Sequence, residues 1–193
     1  MAGTVTKSKA EIPTIDVSLV TIQIGDNEFG FDTSNSVSVE AQTNTTDAVQ
    51  LIIKGNLKAQ KKAKTTLTGN QITLTDNVFN ADLAIAVQGG TAEYDATTHK
   101  LKSYTPPVAG EDKDLPSFVL NCYSAQYDAA GKIVNYEKIS YPNCSGQPVA
   151  FSSEDGTFRA PEYTIDSAPA DGEAPYTITY VDQLPTLTDP SYV

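Results

Sequence analysis

His99 is the only histidine in the 193-residue chain, and Cys122 and Cys144 are its only cysteines. These three could form a Cys–His nucleophile pair or part of a zinc site, since a thiolate becomes useful beside a base or a metal. Their settings speak against both. His99 sits in the polar run Thr97-Thr98-His99-Lys100, which reads as surface, and the cysteines lack a CxxC spacing. Serines are numerous, yet no Gly-x-Ser-x-Gly elbow presents one for attack. Gly89-Gly90 follows an apolar periodic stretch instead of opening one, so it is no phosphate cradle. Glu154-Asp155 and the Asp112…Asp114 pair could attract calcium, but neither follows the twelve-residue calcium-loop pattern. No carboxylate pair can be assigned to glycoside hydrolysis from spacing alone. The chain reads as a non-enzyme with no cofactor or metal.

The elements around these residues are mostly strands. Threonine is abundant beside Val, Ile and Tyr, a composition that suits pleated, half-buried surfaces. Ile15, Val17 and Leu19 alternate with Asp16 and Ser18 in a strand reaching Ile24, which Gly25-Asp26-Asn27 turns. Val37–Ala41 and Val49–Ile53 read as further strands, Lys58–Lys64 as a loop or protruding hairpin tip, and Thr66–Leu74 as strand again. A helix is expected over Asp76–Gln88, capped by Asn80 and stopped by Gly89-Gly90, with Phe79, Leu83, Ala86 and Val87 on one stripe. The stretch from Ser103 through an acidic run to Pro116 reads as a loop.

Phe118–Tyr127 and Ile133–Tyr141 flank Asp128-Ala129-Ala130-Gly131 as a hairpin. Its register places Cys122 opposite Lys138 or a near neighbour, too far from Cys144 for a disulfide, so both cysteines are expected reduced. Gln147–Ser152, Tyr163–Asp166 and Tyr176–Tyr180 complete the strands, with Ala168–Pro175 irregular. The expected fold is mainly β: an antiparallel β-sandwich or half-open barrel with one flanking α-helix, extended termini and long loops. A single domain over 1–193 is expected, with extended arms at about 1–14 and 185–193.

The net charge of −11 is unlike a nucleic-acid binder, which needs a basic footprint. The charge is uneven. Lys54, Lys58, Lys61, Lys62 and Lys64 cluster, while the chain from Ala150 onward holds eight acids and only Arg159. The cluster is either a solvated, mobile loop beside an acidic surface or a contact surface. No run approaches the roughly 20 apolar residues of a membrane span. Lys7 and Lys9 have no apolar core behind them, so Met1–Ile15 is no secretory signal and a cytoplasmic start is expected.

Three blocks in order carry a resemblance. Leu67–Phe79 running on to Gln88-Gly89-Gly90, Tyr136–Pro142, and Ala160–Ile165 with Ala168-Pro169 resemble major tail (tail tube) proteins of bacteriophages and prophages of Gram-positive bacteria. The resemblance implies subunits forming hexameric rings stacked into a tube, with a shared β-barrel as its bore. It also implies terminator, tape-measure and distal-tail proteins as partners, DNA passing through without specific binding, and a virion location after synthesis in the host cytoplasm. Six copies at −11 carry −66 per ring. Acids lining the bore would repel phosphate, and the lysine cluster would then face neighbouring subunits or rings.

Two other readings fit the same composition. One is a carbohydrate-binding or adhesin-type β-sandwich module, for which Tyr123, Tyr127 and Tyr136 would be the aromatic platform although the chain has no Trp. The other is the tube subunit of a contractile tail or bacteriocin-like injector.

Overall fold

A computed structural model describes residues 13–110 and 115–188. Its elements are β1 (Thr14–Ile24), β2 (Asn27–Phe31), β3 (Ser34–Thr46), β4 (Val49–Ile53), β5 (Asn56–Lys61), β6 (Lys64–Asp76), α1 (Ala81–Gln88), β7 (Thr91–Tyr94), β8 (Leu101–Thr105), β9 (Phe118–Tyr127), β10 (Ile133–Gly146), β11 (Glu162–Ser167) and β12 (Thr177–Val181). Eight strands form one antiparallel sheet in the order β2-β1-β9-β10-β11-β6-β3, with β12 also on β10. The fold is mainly β, as the sequence predicts, and among the described residues the sheet does not close into a barrel. A shallow cleft of about 530 Å³ is lined by the starts of β1 and β3 together with Ser124 and Glu137.

The two faces of the sheet differ because side chains alternate along each strand. Val20 and Ile22 of β1 lie level with Cys122 and Leu120 of β9; Ile72 and Leu74 of β6 lie level with Ile165 and Tyr163 of β11. All eight belong to one buried cluster. α1 covers it with Leu83, Ala84 and Val87. Gly146 allows the close approach, since a Cβ there would run into the backbone and side chain of Val87.

Several expectations need correction. The helix begins at Ala81, not Asp76, because β6 continues through Asp76 in register with Ser34 of β3. Asn80 is the cap, extended at φ −107° and ψ 117°, its side chain accepting from Asp82 N at 3.0 Å and Leu83 N at 3.2 Å. The buried helical stripe is Ala81, Leu83, Ala84 and Val87; Phe79 lies before the cap. The predicted loop from Ser103 overlaps β8, which pairs with β7; Tyr104 fixes it by donating to Gly89 O at 2.6 Å. Gln147–Ser152 forms no strand, only a bridge from Ala150 to Glu162.

β10 runs past Tyr141 to Gly146 through an irregularity after Tyr141, which sets Cys144 opposite Phe118. Cys122 faces Ile139, one place from the predicted Lys138, and both thiols are free and buried. The acidic run at 111–114 and most of both predicted terminal arms lie outside the described residues.

A candidate assembly surface

The five lysines predicted as a contact cluster share one feature, a long arm. Beyond Ala41, β3 and β6 continue as an exposed two-stranded ladder, and β4 and β5 extend it as a hairpin. Lys54 and Gly55 make the turn with φ 48° and 80°, the pair of positive values that a tight two-residue hairpin requires. Lys58–Lys64 is therefore not a loop or tip. Lys58 and Lys61 sit on β5, Lys62 follows it, and Lys64 opens β6; all five are exposed.

A second surface lies on the sheet face opposite the core. Ser36, Ser38 and Glu40 of β3 stand beside Thr75, Thr73 and Gln71 of β6, which stand beside Glu162, Thr164 and Asp166 of β11. None of these nine residues is basic or large and apolar. Gln42 and Gln71 each donate to Asp166 Oδ1 at 3.2 Å, and Gln147 donates to Asp166 Oδ2 at 2.7 Å. Three neutral amides thus hold one negative charge without cancelling it. This face was missed as a unit. Its polar alternation is visible strand by strand, but nothing local shows that segments near 38, 73 and 164 lie side by side.

The third feature is the set of sheet edges. β2 pairs only with β1, β3 only with β6, and β12 only with β10, so among the described residues each leaves one edge unpaired. Such an edge presents a row of free N–H and C=O groups to another chain.

Chemistry at the reactive side chains is poor. Burial, followed by the neighbouring Cys144, pushes the Cys122 thiol up to about 12, and burial pushes Cys144 up to about 11. Both stay protonated, and a thiol attacks only as thiolate. Among the described residues no three His, Cys, Asp or Glu side chains gather to hold a metal, and no helix is long and apolar enough to cross a membrane. Tyr123 is buried, with Lys138 Nζ 5.6 Å from its ring centroid, so Tyr123, Tyr127 and Tyr136 do not make an open platform.

No protein-family profile and no curated protein matches the sequence. Among solved structures, the chain is similar to the tube-terminating cap of the anti-feeding prophage, at 16% identity over 93% of this chain and 99% of that one, with a TM-score of 0.47. It is also similar to a chain of the sheath–tube complex of an extracellular contractile injection system, PVC, at 14% identity over 86% and 92% of the two chains and a TM-score of 0.41. Hcp1 from Flavobacterium johnsoniae matches at 8% identity over 86% and 99%, with a TM-score of 0.38.

Proposed function

We propose that this chain is the repeating structural subunit of a tail tube, assembling into stacked rings of six with the polar face of β3, β6 and β11 turned to the bore. The observation that carries the reading is the pairing of that uncovered, cation-free face with three unpaired edges on one sheet. Neighbouring copies would remove the edges by pairing, and the ring would place the polar faces around a common axis. Ser, Thr and Gln offer such a bore a hydrated wall, while Glu40, Glu162 and Asp166 repel phosphate within the roughly 8 Å that physiological salt leaves unscreened. DNA would slide through with no counterion release to hold it. The arm lysines would then face adjacent subunits, and the tube would meet terminator, tape-measure and distal-tail proteins at its ends. The three sequence blocks that resemble phage and prophage major tail proteins support the same reading.

Electron microscopy of the purified protein at rising concentration tests it. Rings or hollow tubes are expected; a chain that stays monomeric at the highest attainable concentration would overturn the proposal.

A further inference from the structure

The hairpin of β4 and β5 carries large aliphatic side chains that nothing among the described residues covers. Ile52 lies opposite Leu57, and this cross-strand pair shares one face; the irregularity next to it leaves the extra residue, Lys58, on β5 before Ala59 meets Leu51. Val49, Leu51, Ile52 and Leu57 are 63%, 53%, 58% and 55% exposed. On the body, Ile24 and Phe29 of the first hairpin, Ile85 and Ala86 of α1, and Leu115 with Pro116 line an apolar groove of about 310 Å³. Among the described residues, Asp82 is its one charged lining residue.

Charge separates along the same division. Residues 42–69 hold five lysines and one acid, Asp47, which makes that stretch +4 and leaves −15 on the rest of the chain. A cationic arm with an exposed Ile52–Leu57 pair and an acidic body with an apolar groove attract each other in both respects. We propose that the β4–β5 tip of one copy seats Ile52 and Leu57 in the groove of a second copy, with Lys54 of the turn and Lys58 of β5 drawn to Asp82. Knob and hole are different patches, so each copy gives one contact and receives another, and the association propagates instead of ending at a dimer. This deepens the tail-tube reading and rests on it for the identity of the partner.

Cysteine trapping tests the contact, since the native thiols are buried. Leu57→Cys protein is mixed with Leu115→Cys protein under mild oxidation. A parallel mixture uses Phe158→Cys, at a side chain 97% exposed on the 151–160 loop. Covalent heterodimer should form faster in the first mixture than in the second, on the order of tenfold or more, because docking raises the local thiol concentration. Adding Asp at Ile52 in the Leu57→Cys chain should abolish the difference. Equal rates in the two mixtures would overturn the groove. Electron microscopy of the wild type reads the tube independently: tubes without trapping sink only the groove, and trapping without tubes sinks only the tube.

Discussion

At the residue scale the central object is Asp166, on which Gln42, Gln71 and Gln147 converge. Removing the carboxylate strips three amides of their acceptor. Asp166→Ala is expected to cost about 1–3 kcal/mol, read as a lower urea midpoint at unchanged slope. Glu40 and Glu162 are exposed on the same face and support no core packing. Glu40→Lys with Glu162→Lys should leave folding and assembly intact while making assembled protein retain DNA. Retention should weaken steeply with salt, since each neutralised phosphate contributes close to one unit of log–log slope. Unchanged indifference to DNA in well-formed tubes would mean that this face does not line the bore.

At the scale of elements, the helix sits where it does because Gly146 lets α1 come down on β10. Gly146→Ala should destabilise the chain by about 1–3 kcal/mol through overpacking against Val87, measured by thermal melting. The arm belongs to this scale too. Lys61→Glu, Lys62→Glu and Lys64→Glu together should impair tube formation in electron micrographs while the monomer keeps its melting temperature, because all three side chains are exposed. Much of this architecture was legible in the sequence. Period-two alternation marked β1 to within a residue, the hairpin reading marked β9 at its observed ends, and Asn80 marked the cap, while β6 and β11 run two and one residues past their predicted ends on each side. The missed pieces share a cause. β2 has a glycine and little alternation, and β8 is held by its pairing with β7 and by Tyr104 on Gly89, which no local pattern reveals. The polar face and the groove are likewise products of register between distant segments.

For the whole molecule, burial of ionisable groups sets the response to alkali. Burial, then the charge of Cys122, pushes Tyr141 up to about 12 from 10.0; Tyr163 rises to about 12, chiefly by burial, and the thiols rise to about 12 and 11 from 9.0. All four hold their protons more tightly folded than unfolded. Stability is therefore full below about pH 9, the onset set by the thiols, and falls as pH rises through the folded values, by up to about 1.4 kcal/mol per unit for each group. A melting temperature flat to pH 9 and then descending is the expected profile. A melting temperature that stays level to pH 11 would contradict it.

The exposed arm has one more consequence, for how a population of these chains can be counted. Trypsin cuts after lysine, and five of the chain's thirteen basic residues stand on that single uncovered ladder. Exposed backbone with few packed neighbours is where proteases enter first. Brief digestion should thus clip free copies between Lys54 and Lys64 and spare those whose arms are occupied. The ratio of clipped to intact chain becomes a clock for incorporation, running in solution and needing no image of the finished particle.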